Sequence, residues 1–216
     1  MAQIVVGMAD CRIATGTGDV LATFALGSCI GLSVYDYRAK VGGLLHYMLP
    51  DSTIDPARGR DNPYMFADTG IPLLIKQVCE KGANKRQLVA HAAGGASIMD
   101  PNGVFDIGKR NHLALRKILW KCGVLLSGEA VGGCTSRTVR LEIGDGRLWL
   151  QEDCGQRELV AGFPRPGNTG TPVASPAAPP AVAKPQSSHP CATPLSALAT
   201  WTKKGEGNGL QGLNRR

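Results

Sequence analysis

Apolar and β-branched residues recur in short runs separated by turn signals over the first 50 residues, a pattern typical of β-strands. The runs predict strands at 4–6, 20–26, 30–35 and 41–49. Gly16-Thr17-Gly18-Asp19 is a turn signal between the first two strands, and Pro50 ends the fourth. A polar, proline-containing stretch at 51–63 is predicted to be an exposed loop.

The second half of the chain combines helical and strand patterns. Apolar residues follow a helical period between 64 and 81, and Pro72 is tolerated only near a first turn, so this helix is predicted to begin near Thr69. A second helix is predicted within 107–122. Further strands are predicted at 88–92, 124–127, 138–143 and 147–150.

About eight strands with two late, separated helices do not give the βαβ alternation of a doubly wound parallel sheet. The predicted fold class is therefore α+β, a layered arrangement of mixed or antiparallel sheets packed with about two to three helices.

The composition changes after about residue 162. Nine of the 14 prolines fall between Pro164 and Pro194, among alanine, serine, glycine and threonine. Such a segment buries too little apolar surface to offset its ordering entropy. We therefore expect a folded domain at 1–162 and a flexible, disordered tail at 163–216.

Charge and motif counts exclude several classes of function. The tail holds six of the 24 Lys and Arg residues and one of the 17 acidic residues, which leaves 18 basic and 16 acidic residues in the domain. So small an excess argues against nucleic-acid binding. The sequence has no CxxC or HExxH motif, which argues against a metal site. It also lacks a predicted membrane span and a signal peptide, so a cytoplasmic location is expected.

The most informative pair of residues is Cys29 and His46. Gly27-Ser28 interrupts the apolar run just before Cys29, which suits a sharp bend whose backbone N–H groups can converge on an oxyanion. His46 lies in an apolar strand, and adjacent strands would bring it within reach of Cys29, where an imidazole lowers a thiol pKa and acts as a general base. On its own, the pair does not distinguish a catalytic dyad from an ordinary core cysteine and histidine.

These residues belong to a longer pattern that resembles the CheD family, the chemoreceptor glutamine deamidases of bacterial chemotaxis. Six ordered blocks between about residues 4 and 150 carry the resemblance. They are Leu26-Gly27-Ser28-Cys29, His46-Tyr47-Met48-Leu49-Pro50, Phe66-Ala67-Asp68-Thr69, Ala93–Met99, Ile107–Asn111, and Gly132-Gly133 with Arg137. Phe66 stands where the family has tyrosine, and the tail lies outside the resemblance.

The resemblance implies a cysteine hydrolase fold shared with deamidating bacterial toxins. It places the nucleophile at Cys29, the base at His46 and a third essential residue at Thr23, whose hydroxyl would orient the imidazole. The implied reaction hydrolyses a glutamine side chain through a thioester and needs no metal or organic cofactor. Candidate groove or oxyanion residues are Gly27, Ser28, Gly94, Gly95, Met99 and Asn111.

The implied partners are the cytoplasmic helices of methyl-accepting chemoreceptors, as substrate, and a CheC-type phosphatase. Two other classes of function stay open on sequence alone. One is a binding protein that regulates such a phosphatase or acts as a receptor adaptor. The other is a thiol enzyme of neighbouring chemistry, such as a transglutaminase or a receptor methylesterase.

Overall fold

Two five-stranded sheets and three α-helices make up the part of the chain that the computed structural model describes, residues 2–98, 105–152 and 155–160. The strands are β1 (Ala2–Val5), β2 (Asp10–Ala14), β3 (Asp19–Leu26), β4 (Ile30–Asp36), β5 (Val41–Tyr47), β6 (Val89–Gly94), β7 (Leu125–Val131), β8 (Arg137–Glu142), β9 (Leu148–Glu152) and β10 (Gly155–Val160). The helices are α1 (Pro56–Asp61), α2 (Ala67–Glu80) and α3 (Ile107–Cys122).

Both sheets are mixed. The first has the strand order β1-β3-β8-β9-β10, in which β1 and β3 are parallel and the other neighbours antiparallel. The second has the order β2-β5-β4-β6-β7, in which only β6 and β7 are parallel. The predicted α+β class with mixed sheets is thus confirmed.

The layers are stacked so that the second sheet lies in the middle. One core fills the space between the two sheets and includes Leu21, Leu44 and Leu141. The other core lies between the second sheet and helices α2 and α3, and includes Leu45 and Leu74. Both faces of β4 and β5 are therefore covered, and every residue of these two strands is buried.

Alternation along β5 decides which side chains enter which layer. Leu45 and Tyr47 pack toward the helices. Leu44 packs toward the first sheet, and His46, two residues further on, points the same way and contacts Thr23 of β3. The strand period thus places a polar side chain in the layer between the sheets.

Three elements are absent from the sequence prediction. The loop expected at 51–63 contains α1, which Asp55 caps by accepting a hydrogen bond from the Arg58 N–H, with Pro56 at its first position. The other two are β2 and β10, which lie at sheet edges. In β2, Asp10 and Arg12 alternate with less polar residues, so no apolar run marks the strand.

The first long helix begins two residues earlier than predicted, at Ala67 rather than Thr69, and Pro72 lies within it. Tertiary contacts fix this first turn. The Ala67 N–H donates to the Leu49 carbonyl, and the Asp68 carboxylate accepts hydrogen bonds from the backbone and hydroxyl of Ser52. The predicted domain boundary near residue 162 and the tail lie outside the described residues. No described helix is long and apolar enough to cross a membrane.

Candidate active site

Cys29 lies where the chain crosses from one sheet to the other. β3 ends in the first sheet at Leu26, and β4 begins in the second sheet at Ile30, so the bend Gly27–Cys29 joins the two layers. The Cys29 side chain is half-buried and packs against the core between the sheets. Among the described residues, no other residue accepts a hydrogen bond from the backbone N–H of Ser28 or Cys29.

His46 and Thr23 face each other across the layer between the sheets. Both are buried, with exposed fractions of 2% and 0%. The Thr23 hydroxyl lies 2.8 Å from His46 Nδ1 and 2.9 Å from the carbonyl oxygen of Val6. His46 pairs with Gly31 across β4 and β5, and Cys29 lies two positions before Gly31, on the diagonal. Diagonal neighbours are about 7–8 Å apart between Cα atoms, within reach of side chains.

The contacts of Thr23 determine the tautomer of His46. A hydroxyl has one hydrogen to donate, and the Val6 carbonyl can only accept, so the Thr23 hydrogen goes to Val6. The hydroxyl oxygen must then accept from His46, which places a hydrogen on Nδ1. His46 Nε2 therefore carries a lone pair, and this buried atom has no hydrogen-bond partner among the described groups, the Cys29 thiol included. The Cys–His hydrogen bond that a nucleophile and its base require is not formed in this resting arrangement.

Burial keeps both members of the Cys–His pair neutral. It raises the pKa of the Cys29 thiol above its ordinary value of 9.0, although the backbone N–H of Cys29 acts in the opposite direction. It lowers the pKa of His46 from 6.5 to about 4. Both shifts disfavour the thiolate–imidazolium pair relative to the neutral thiol and imidazole.

The resting pair is therefore a thiol and a neutral imidazole. In this state the pKa of the Cys29 thiol is raised rather than lowered as predicted from the sequence, because desolvation dominates.

Glycines allow the elements around Cys29 to approach closely. Gly94 has a φ of +113°, and a Cβ there would collide with the Cys29 carbonyl oxygen. Gly31 lies opposite His46, and a Cβ there would come within 2.8 Å of Leu26 and 3.3 Å of Thr23. The Gly94–Ala96 turn is bonded to the Cys29 bend: Gly95 N–H donates to the Cys29 carbonyl and Ala96 N–H to the Gly27 carbonyl, both at 2.8 Å.

Two of the predicted oxyanion residues have structural roles in these contacts instead. The Gly95 N–H is already used by the Cys29 carbonyl, and Gly94 serves as the close-approach position. Behind the turn, the buried Arg137 donates to the carbonyls of Gly94 and Gly132 and pairs with Glu152 at 2.7 Å. The ion pair lowers the pKa of Glu152, and the hydrogen bonds from Arg137 to the two carbonyls fix the turn to the first sheet.

Asn111 is completely buried in the first half of α3. Its side-chain amide donates to the carbonyl oxygens of Ser28, at 2.9 Å, and Met48, at 2.8 Å. Because both hydrogens of the amide are used and the side chain is inaccessible, Asn111 does not line a groove or donate to an oxyanion. The sequence places it near the active site but not in this position.

A cavity of about 470 Å³ opens beside Cys29, and the buried His46 is not among its lining residues. It is mainly apolar, and its lining residues are Ala25, Gly27, Ser28, Cys29, Ala96, Ser97, Ile98, Phe105, Asp106, Ile107 and Gly108. Of the residues predicted for a groove, Gly27 and Ser28 line this cavity, whereas Met99 lies outside the described residues. The described residues contain no cluster of three or more His, Cys, Asp or Glu side chains that could hold a metal ion.

Comparison with known proteins identifies related chains. The profile of a family described as "CheD chemotactic sensory transduction" matches residues 48–152, a range that begins just after His46. A "Probable chemoreceptor glutamine deamidase CheD" from Solibacter usitatus is 74% identical over 167 residues, which is 77% of this chain and 99% of the relative. A "Probable chemoreceptor glutamine deamidase CheD 1" from Syntrophus aciditrophicus is 48% identical over 74% of this chain and 100% of the relative. A third relative, "Probable chemoreceptor glutamine deamidase CheD 2" from Anaeromyxobacter dehalogenans, is 46% identical over 70% of this chain and 95% of its own length.

Proposed function

The chain belongs to the CheD family, and we propose that it is a chemoreceptor glutamine deamidase in which Cys29, His46 and Thr23 carry out the reaction. The observation that supports these roles is the unpaired, buried Nε2 of His46, held in the basic tautomer by Thr23 beside the half-buried Cys29. A primary carboxamide is a poor electrophile, so its hydrolysis needs an activated nucleophile, a proton donor for ammonia and a place for the oxyanion.

In the first half of the reaction, a glutamine side chain occupies the cavity and its carbonyl carbon meets Cys29 Sγ. His46 Nε2 takes the thiol proton as the C–S bond forms, and the amide carbonyl becomes an oxyanion. The N–H groups of Ser28 and Cys29 are the donors that the bend leaves available for it. His46 then gives its proton to the amide nitrogen, ammonia leaves, and a thioester remains on Cys29.

In the second half, a water molecule attacks the thioester carbon and gives a proton to His46 Nε2. The C–S bond breaks, the proton returns to Cys29, and glutamate is released. Thr23 keeps the hydrogen on Nδ1 through both halves, so that Nε2 alone exchanges protons. A neutral hydroxyl stabilises imidazolium less than a carboxylate would. Burial lowers the pKa of His46 to about 4.

The cavity fits a glutamine that protrudes from a helix. Its volume of about 470 Å³ falls in the usual range of about 300–1,000 Å³ for binding sites. The exposed side chains of Phe105 and Ile98 offer apolar surface at the rim. Each conversion adds one negative charge to the receptor helix, and like charges on adjacent helical turns destabilise a helix by about 0.2–0.5 kcal/mol per pair. Deamidation would in this way tune receptor signalling during adaptation.

A CheC-type phosphatase is the second partner that we propose, in line with the family resemblance. If it contacts the surface around the cavity, then adding it in excess to a deamidation assay should raise the KM for the receptor fragment. An unchanged KM, with no complex on size-exclusion chromatography, would contradict this partner and leave the deamidase assignment intact.

The test of the function uses a chemoreceptor cytoplasmic fragment that contains glutamine. Intact-mass analysis should show a gain of about one dalton per converted site with release of ammonia. The Cys29→Ala variant should lose both signals. Cys11→Ala is the matched control, because Cys11 is another partly buried free thiol, with a pKa raised to about 12, on the helix-facing side of the sheet.

Two outcomes would contradict the deamidase. Tight binding of several receptor fragments without any mass change would support the binding-protein function instead. Incorporation of a labelled primary amine in place of hydrolysis would identify a transglutaminase.

A further inference from the structure

Asn111 connects the two segments that carry the nucleophile and the base. One of its amide hydrogens goes to the carbonyl of Ser28, the residue before Cys29, and the other to the carbonyl of Met48, two residues after His46. Both acceptors lie just beyond the point where the pairing of β4 with β5 ends, so the amide extends the connection between these two segments past the end of the ladder.

The geometry fixes the orientation of this amide. If its oxygen were turned toward Ser28 and Met48, it would face two acceptors and no donor. No other described group donates a hydrogen bond to either carbonyl. The helix that carries Asn111 is itself held to the same strand end, because the Tyr47 hydroxyl donates to the Asn111 backbone carbonyl at 3.0 Å.

The resting pair needs such a connection. Cys29 lies on a bend, His46 lies near the end of β5, and no hydrogen bond joins the thiol to Nε2. Proton transfer from Cys29 to His46 requires that the bend and the strand end keep a defined separation. A misplacement of about 1 Å in a catalytic constellation can lower a rate about 10²-fold.

We propose that Asn111 is a positioning residue that holds the Cys29 bend and the His46 strand end at the separation required for proton transfer. The inference rests on the proposed roles of Cys29 and His46. Asn111 touches neither the cavity nor either reacting atom, so it acts through the two carbonyls alone.

The proposal is tested by the pH profile of Cys29 alkylation with iodoacetamide between pH 5 and 10, followed by mass spectrometry. Two thiolate populations react. The fraction of Cys29 that is thiolate through loss of a proton to solvent falls tenfold for each pH unit below the thiol pKa. Thiolate formed by proton transfer to His46 is independent of pH down to the His46 pKa of about 4, so it gives a plateau on the acidic side. The height of the plateau therefore reports the extent of proton transfer from Cys29 to His46.

The variants are Asn111→Leu, which keeps approximately the volume and removes both donors, and Asn111→Ala, the milder replacement if the first does not fold. We expect the plateau to fall about 10–10²-fold while the alkaline limb stays within about threefold. The control Tyr35→Phe removes another buried hydrogen bond to a carbonyl, from the Tyr35 hydroxyl to Ile143 at 2.7 Å, and should leave the plateau unchanged.

The outcomes separate the two proposals. An Asn111 variant that is folded and keeps the wild-type plateau overturns the positioning role, as does an equal loss of plateau and alkaline limb. His46→Ala should lack the plateau. If His46→Ala and wild type give the same profile, the proposed Cys–His pair itself is wrong, whatever Asn111 does.

Discussion

Replacing Thr23 by valine removes one hydroxyl while keeping the shape of the side chain. The change leaves two buried groups unpaired, the Nδ1–H of His46 and the carbonyl of Val6, which is 1% exposed. An unsatisfied buried donor or acceptor costs about 1–3 kcal/mol, so the free energy of unfolding should fall by about 2–6 kcal/mol.

The larger effect concerns catalysis. Without the Thr23 oxygen, nothing described keeps the hydrogen on Nδ1, and a hydrogen on Nε2 would prevent that atom from taking the Cys29 proton. Loss of an orienting or general-base function typically lowers rates about 10²–10⁴-fold, which corresponds to about 2.7–5.4 kcal/mol. The kcat for deamidation should therefore fall by this factor in Thr23→Val.

The assay is ammonia release from the receptor fragment at saturating concentration, at a temperature where thermal unfolding shows each variant to be folded. Thr23→Ser keeps the hydroxyl and loses only a methyl group, so it should retain kcat within about tenfold and lose about 1 kcal/mol of stability. The ¹⁵N chemical shifts of the His46 ring should show hydrogen on Nδ1 in wild type and in Thr23→Ser. A Thr23→Val variant that is as active as Thr23→Ser would refute the argument that this hydroxyl sets the tautomer.

Two further predictions follow from the glycine contacts and the buried histidines. Gly94→Ala should reduce both stability and kcat, because its φ of +113° disfavours a side chain and the new Cβ would displace the Cys29 carbonyl. The control is Gly123→Ala, at a φ of +67° with open space around it, which should lower stability by about 1 kcal/mol and leave kcat unchanged. Equal effects of the two substitutions on kcat would contradict the importance of the close approach at Gly94. The second prediction is that stability decreases in acid: burial holds the pKa of both His46 and His91 at about 4, against 6.5 when unfolded, so the unfolded chain binds more protons between these values. The stability contributed by the neutral histidines is complete above pH 6.5 and is lost as the pH falls toward 4, with a loss on the order of 1–2 kcal/mol per histidine at pH 5. A urea midpoint that does not change between pH 7 and 5 would argue against buried neutral histidines.

Much of the framework was predictable because it rests on local pattern. The apolar runs predicted β3, β4 and β5, and the helical period predicted α2 and α3. The elements that the prediction lacked are short or polar, like β2, or capped by signals that an apolar period does not register, like the Asp55 cap of α1. The signal that predicts α1 is Asp55-Pro56, an N-cap residue followed by proline at the first helical position.

The active-site residues also differ in how far the local sequence predicts them. Cys29 and His46 stand out by their neighbours in the sequence, whereas Thr23 entered only through the family resemblance, since nothing local marks a threonine in a strand. The connection through Asn111 depends on contacts over 63 and 83 positions, which no periodicity encodes. The neutral resting state likewise comes from burial by the packed layers, so the sequence argument for a lowered thiol pKa failed there.

The proposed mechanism depends on a thioester between Cys29 and the carbonyl carbon of the glutamine. The most direct test is a rapid-quench experiment in acid with a short glutamine peptide from a receptor, followed by intact-mass analysis of the enzyme and mapping of the adduct. We expect a transient species whose mass equals enzyme plus peptide minus ammonia, located at Cys29 and absent from Cys29→Ala. Deamidation by Cys29→Ala at the wild-type rate, or an adduct on another residue, would contradict it.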